Sequence, residues 1–250
     1  MTIDGIILAA GRGSRLGELT ADKPKPLTIL GGKPLIEWQL SALEEAGVVN
    51  TYLVTGYQQE SLLGYGAGHF HNPKWHNSNM VRSLMSADEV LSSSVCIVSY
   101  GDITYPAAHV QALISSSSDI AITSDINWLA LWSERFEDPF ADAETFRHDG
   151  EYLIEIGKRS EVLSDFQGQF MGLIRFSPQG WHKVKQWLGT LPDEQVDRLD
   201  MTAMLAKVVG EGLPVQVVPV NGRWVEVDNP SDITLYENAT AQSGWHHDWR

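Results

Sequence analysis

Cysteine is almost absent from this sequence: Cys96 stands alone among 250 residues, so no internal disulfide and no disulfide-stapled framework can form. Basic residues are scarce as well. Eighteen Lys and Arg face 32 Asp and Glu, for a formal net charge of −14, a balance that repels nucleic acid and anionic membrane surfaces and excludes both as expected partners. No apolar run approaches the roughly 18–20 residues that a membrane span needs, and the opening Met1-Thr2-Ile3-Asp4 lacks the basic and apolar regions of a secretory signal. A G-x-S-x-G nucleophile elbow is missing, which argues against a hydrolase. The expectation is a soluble cytoplasmic chain whose 43% hydrophobic content suffices for one substantial core.

The hydrophobic pattern alternates between short apolar runs and helical periods. Ile3–Ala10 reads as a buried, parallel-type strand that breaks into a glycine turn. Leu35, Ile36, Leu40 and Leu43 form a helix face closed by Gly47, Thr51–Thr55 a second strand, and Gly64–Asn79 a loop. Met80, Leu84, Ala87 and Leu91 mark another helix, and Val95–Ser99 a third strand ending at Gly101-Asp102. The rhythm continues through Val110–Ile114 and Ile120–Thr123. It breaks over the aromatic and acidic stretch Asp125–Arg159, read as an excursion from the sheet. Strands are expected again at Phe170–Phe176 and Val215–Val220, with helices at Pro178–Leu188, Asp200–Val209 and Pro230–Ala241. The last is started by Asp228 or Asn229 as N-cap, with Pro230 at its first position. Together these imply an α/β fold: a Rossmann-like, mostly parallel mixed sheet with helices on both faces and an embedded substrate-binding lobe. One domain over 1–250 is expected, with a nucleotide-binding half at 1–124, a substrate lobe at 125–228 and a C-terminal helix and tail at 229–250.

The turn after the first strand, Gly11-Arg12-Gly13-Ser14-Arg15-Leu16, has the small residues that let backbone N–H groups crowd around phosphate. It is not a dinucleotide fingerprint, because Leu16 takes the place of the third glycine, and it has no Walker-type G-K-[ST]. Arg12, Arg15, Lys23 and Lys25 follow in quick succession in an otherwise acidic chain. That cluster points to a polyphosphate site, the plainer reading being a solvated basic loop.

Leu8-Ala9-Ala10-Gly11-Arg12-Gly13-Ser14-Arg15-Leu16, then Lys23-Pro24-Lys25-Pro26-Leu27 and Gly32-Lys33-Pro34-Leu35-Ile36, resemble the nucleotidylyltransferase signature. Later segments, among them Trp128–Trp132, Asp142-Ala143-Glu144, Glu155–Lys158, Gly168–Leu173 and Trp224–Asp228, are similar to the bacterial phosphocholine cytidylyltransferases and related small-phosphate cytidylyltransferases. The resemblance implies CTP as donor, Mg²⁺ as cofactor and a small phosphorylated or phosphonate acceptor.

Asp102 and Asp228 both fall at strand ends, where parallel sheets place ligand crevices. Taken singly, each could as well be a turn residue or helix cap; the resemblance implies that they meet to hold Mg²⁺. It also implies Lys25 and Arg15 on the phosphates, Lys158 on the acceptor phosphate, and Leu8, Ala10 and Gly11 against the base, beside Gly13, Ser14 and Gly101. Asn77, Ser78, Asn79 and Ser83 look like the stretch that reads a pyrimidine edge. For the acceptor, Trp128, Trp132, Arg135, Asp142, Glu144, Lys158, Gln169, Met171 and Glu226 are the candidates. Aromatic faces and carboxylates suit choline, whereas Arg135 suits a carboxylate or phosphate, and Asn127 stands where the family pattern leads one to expect Asp. A phosphorylated amino-acid amide is therefore an equally natural acceptor. Trp128, Trp132 and Phe136 at intervals of four also describe one helix face packed on a core. A sugar-1-phosphate nucleotidylyltransferase and a non-catalytic nucleotide-binding protein of the same fold remain as alternatives. An Asp-x-Asp glycosyltransferase is disfavoured, since Asp102-Ile103-Thr104 lacks the second acid.

His69, His71 and His76 lack the ligand spacing of a zinc site, and Cys96 reads as a small core residue. Trp245 and Trp249 are expected to dock on the body or on a second subunit, which leaves a homodimer open.

Overall fold

The computed structural model describes residues 2–250. Nine strands form one sheet: β1 (Ile3–Ala9), β2 (Asn50–Thr55), β3 (Gly68–His71), β4 (Val95–Tyr100), β5 (Ile120–Asp125), β6 (Phe146–Asp149), β7 (Tyr152–Ile156), β8 (Gln169–Phe176) and β9 (Gln216–Val220), in the spatial order β3-β2-β1-β4-β8-β5-β9-β7-β6. β1 pairs in parallel with β2 and β4, β2 with β3, and β5 with β9. β8 runs antiparallel between β4 and β5, and β7 meets β9 antiparallel through the single pair Tyr152–Gln216. The sheet is thus mostly parallel and mixed, with apolar residues buried on both faces: Ile7, Leu53 and Ile97 in one cluster, Ile6, Val54 and Val98 in the other. That two-sided burial is why β1 and β4 read as continuous apolar runs rather than alternating ones.

Helices cover both faces. α1 (Leu35–Glu45), α2 (Ala107–Ile114) and α3 (Trp128–Arg135) contribute Leu43, Val110 and Leu131 to the first cluster. The helices Met80–Ser86, Pro178–Leu188 and Met201–Gly210 contribute Leu84, Trp181 and Leu205 to the second. Their starts follow local chemistry. Ser177 and Asp200 accept from Gly180 N and Ala203 N as N-caps, and Asn229 with Asp232 builds a capping box ahead of Pro230–Thr240. Among the described residues no helix is long and apolar enough to cross a membrane.

Several elements differ from expectation. The segment 64–79 is not all loop, since Gly68–His71 adds an edge strand to β2. The helix expected from Met80 to Leu91 ends at Ser86 and restarts at Asp88, because Ala87 leaves helical geometry at φ −95°, ψ 21°. A short helix, Asp193–Arg198, precedes Asp200. The excursion 125–159 holds α3 and then returns to the sheet edge as the β6–β7 hairpin.

Candidate active site

Sheet register assembles the site. β1 and β4 run side by side with Leu8 opposite Tyr100, so the glycine turn after β1 and the Gly101-Asp102 turn after β4 emerge together at the carboxyl end of the sheet, the usual ligand edge of an open α/β fold. A side chain on Gly101 would put its Cβ 2.6 Å from the Leu8 carbonyl oxygen, which is why the contact needs glycine. Gly13 sits at φ 72° with the Lys25 stem beneath it, and a Cβ there would lie 2.8 Å from that stem. The glycine turn therefore packs on Lys25, with the lysine stem under the turn.

Lys25 Nζ donates to Asp102 Oδ2 and to Asp228 Oδ1, both at 2.7 Å, and Arg15 Nη2 reaches the same Asp228 oxygen at 2.6 Å. Glu226 arrives on the ribbon Val225–Glu226, which pairs with Ile103–Thr104, and Asp228 follows two residues on, where Val227 N donates to the Asp102 carbonyl. One carboxylate oxygen from each of Asp102, Glu226 and Asp228 lies within 4.8 Å of the others. Burial alone would lower the Lys25 pKa, but Asp102, Asp228 and Glu226 outweigh it and hold the ammonium firmly charged. Burial raises the Asp228 carboxyl, yet Lys25, Arg15 and Arg135 bring it below its ordinary value. Glu226 is the loser of this arrangement: burial, then Asp228 and Asp102, push it up to about 8.

Two cavities flank the carboxylates and share Arg15 and Tyr100 in their walls. The first, about 220 Å³, is walled by Leu8, Gly11, Gly13, Lys25, Gly101 and Asp102, with Met80 and Pro26. The second, about 210 Å³, is walled by Trp132, Asp142, Glu144, Gln169, Glu226 and Asp228, with Thr145, Arg159, Phe170 and Thr202. Tyr100 reaches both because Gly172, at φ 88° in a bulge of β8, leaves room for its ring 2.8 Å from where a Cβ would stand.

Most residues singled out from the sequence converge here; several lie elsewhere. Ala10 is buried under the turn and its carbonyl accepts from Tyr57 N, while Ser14 is exposed at the turn's outer side. Asn77 is exposed, Asn79 caps the helix Met80–Ser86, and Asn72 Nδ2 donates to Ser78 Oγ and Ser83 Oγ; among the described residues Met80, not these four, lines the first cavity. Trp128 packs on Trp132, Phe140 and Phe166 in the core, and Met171 is likewise buried, so neither lines the second cavity. Lys158 points outward and its ammonium bonds Glu155. Arg135 also requires correction: its side chain is 0% exposed and lies behind the acids, with Nε and Nη2 on Asp232 at 3.2 and 3.3 Å and Nη1 on Glu226 at 3.4 Å. It serves as a buried counter-charge, out of reach of a ligand in the cavity.

Sequence reasoning missed Tyr100, Met80, Thr145, Thr202 and Arg159. Arg159 had a signal, being an arginine directly after the family-like Glu155–Lys158 segment and within reach of an acidic stretch. The others are brought in by pairing and packing alone.

The residues fit a divalent cation. Three carboxylates supply hard oxygen ligands, and Asp102 Oδ1 is buried with no hydrogen-bond partner, an arrangement that is costly without a ligand.

A mixed sheet with a glycine turn after its first strand, a lysine stem packed beneath that turn and a carboxylate cluster at the strand ends is the arrangement of a nucleotidyltransferase. The chain belongs to the MobA-like NTP transferase domain family, whose model matches residues 5–154. Over 249 residues it is 33% identical to the CTP:phosphoglutamine cytidylyltransferase of Campylobacter jejuni, covering 93% of this chain and 98% of that one. Over 96 residues it is 38% identical to the choline-phosphate cytidylyltransferase of Streptococcus pneumoniae, covering 37% of this chain and 42% of that one. It shares its fold with the inositol-1-phosphate CTP transferase of T. maritima, at TM-score 0.76 and 21% identity over 94% of each chain.

Proposed function

We propose that this enzyme is a Mg²⁺-dependent cytidylyltransferase that joins CMP from CTP to a phosphate oxygen of a small non-sugar acceptor, releasing pyrophosphate. The acceptor is phosphocholine-like or a phosphorylated amino-acid amide, and the 33% identity over nearly the whole chain to a CTP:phosphoglutamine cytidylyltransferase supports the latter. The observation that carries the reading is the meeting of two cavities at Arg15, Tyr100 and the Asp102–Glu226–Asp228 cluster. Such a junction suits two phosphates brought nose to nose.

CTP takes the cavity under the glycine turn, with Leu8, Gly11 and Gly13 at the nucleoside and Lys25 and Arg15 along the triphosphate. The acceptor takes the acidic cavity, its phosphate at Arg15. A phosphate oxygen attacks the α-phosphorus in line, and the bond from that phosphorus to the β-phosphate oxygen breaks as pyrophosphate leaves. The attacking oxygen is already anionic, so no general base is needed, and the residues act by positioning and charge stabilisation. Asp102, Asp228 and Glu226 would hold Mg²⁺, whose chemistry when bound is to neutralise phosphate charge. A single domain over 1–250, with the nucleotide half at 1–124, accounts for both cavities.

The test is pyrophosphate release with Mg²⁺, crossing the four nucleoside triphosphates with phosphocholine, phosphoethanolamine, 2-aminoethylphosphonate, phosphoglutamine and sugar 1-phosphates. Turnover is expected with CTP and a non-sugar acceptor, and lost by at least about 100-fold in Asp102→Asn and Asp228→Asn, roughly the loss for removing a transition-state charge contact. Turnover confined to sugar 1-phosphates would overturn the acceptor class.

A further inference from the structure

Besides the carboxylate cluster, the acceptor cavity is lined by charges of both signs. Asp142, Glu144 and Arg159 line it, with Thr145 and Thr202. The cavity's other cation, Arg15, belongs to the junction with the nucleotide side. Arg159 is held in place. Its Nη1 donates to the carbonyls of Ala141 and Ala143, both at 3.0 Å, and among the described residues Nε and Nη2 have no protein partner. Gln169 Nε2 donates to the Glu144 carbonyl, so the stretch bearing both carboxylates is pinned from two sides and its charges are preorganised. Glu144 has no ion-pair partner among the described residues; burial raises its pKa, and the Thr202 hydroxyl lowers it.

This wall suits neither a purely cationic nor a purely anionic head group. A quaternary ammonium wants open aromatic faces, but among the aromatic rings that line the cavity Trp132 and Phe146 are buried, and Tyr100 and Phe170 meet each other edge to face. It would also meet the Arg159 charge. A lone carboxylate would meet Asp142 and Glu144. At about 210 Å³ the cavity falls below the roughly 300–1,000 Å³ of drug-sized sites, the scale of a small metabolite.

We propose that Glu144 and Arg159 are the specificity-determining pair of this site, selecting a zwitterionic acceptor: Glu144 takes the ammonium of an amino-acid head group and Arg159 its carboxylate, with the phosphate at the far end against Arg15. The inference rests on the cytidylyl-transfer reading of the same cavity. The guanidinium edge left over from the two carbonyl bonds is the one offered to the carboxylate, a geometry that arginine provides and lysine does not.

The experiment is steady-state kinetics with CTP and Mg²⁺ on two matched pairs: phosphoglutamine against its analogue lacking only the α-carboxylate, and O-phosphoserine against phosphoethanolamine. The wild-type enzyme is expected to favour phosphoglutamine over its analogue by at least tenfold in kcat/KM. Arg159→Leu is expected to erase that preference through a rise of ten- to a hundredfold in the phosphoglutamine KM, with a change in kcat of a few-fold at most. Glu144→Gln is expected to raise KM for both members of each pair. No carboxylate preference in the wild type overturns the proposal without touching the variants' folding, and so does Arg159→Leu slowing both members of a pair equally, which would leave Arg159 only as a brace for Ala141–Ala143. In both of those cases CTP turnover still stands. Absence of turnover with every acceptor, together with no CTP binding, overturns the cytidylyltransferase reading and this proposal with it.

Discussion

Lys25 makes two 2.7 Å contacts, to Asp102 and Asp228, and so occupies the charge position that a cation shared by those carboxylates would take. Removing it leaves buried anions facing one another, a change that costs on the order of 3 kcal/mol. Lys25→Met is therefore expected to melt lower than the wild type without metal and to gain more in Tm from added Mg²⁺, because the metal then restores a lost counter-charge as well as binding. Identical Mg²⁺-dependent shifts in the two proteins would separate Lys25 from the metal position. Gly101 makes the complementary case in packing. Its missing Cβ would stand 2.6 Å from a backbone oxygen that cannot rotate away, so Gly101→Ala is expected to cost roughly 2 kcal/mol, about 4–8 °C in Tm. An unchanged melting curve would show that β1 and β4 can part there. At this scale Lys25 stood out because it belongs to a motif with linked spacing, whereas Asp102 and Asp228 were joined only by the family resemblance, each alone reading as well as a turn residue or helix cap. The place of Arg135 was misread. Trp128, Leu131, Trp132 and Arg135 follow the i, i+3, i+4, i+7 stripe of a helix face, which already put the guanidinium on the apolar side of α3.

At the scale of elements, the C-terminal tail matters more than its length suggests. Trp249 is 2% exposed and meets Trp38 edge-on at 6.0 Å, beside Gly31. Trp245 donates to Glu134 on α3, and the His247 ring stands against the Trp224 carbonyl. Trp224 in turn donates to Asp125 at 2.8 Å and leads into the ribbon that carries Glu226 and Asp228. The tryptophans thus dock on the chain's own body. Trp249→Ala is expected to cost about 3–5 kcal/mol, a fall in Tm of roughly 10 °C, seen by calorimetry or near-ultraviolet circular dichroism; a loss below 1 °C would mean the tail is not seated there. Strand–helix alternation was readable because apolar runs and amphipathic periods are local properties. The edge strand Gly68–His71 was not, since its glycine and histidines carry little strand propensity and only the open edge of β2 makes it a strand.

Over the whole molecule, buried titratable groups oppose one another in their pH dependence. His109 is buried and neutral, its pKa lowered by that burial to about 4, with Asp125 pulling the other way. The unfolded chain binds its proton first, so this contribution is present above pH 6.5 and is lost as pH falls towards 4. Glu226 has the reverse sign. Raised to about 8, it keeps its proton in the folded state after the unfolded chain has released it, so its contribution is full below about pH 4.5 and is lost as pH rises to 8. Without metal, Glu226→Gln is expected to gain Tm relative to the wild type on going from pH 5 to 8.5, and His109→Asn to flatten the decline between pH 6.5 and 4. A constant difference from the wild type across that range would remove either residue from the account.

Local chemistry in the sequence determined the glycine turn, the lysine segment and the alternation of elements, because each of these lies within a few neighbouring residues. The meeting of Asp102 with Asp228, the sharing of Tyr100 and Arg15 between two cavities, and the presence of Arg159 in the wall of the second cavity were decided only by tertiary structure. Those contacts join residues far apart in the chain, and strand register, the bulge at Gly172 and the burial of α3 set which side chains face one another.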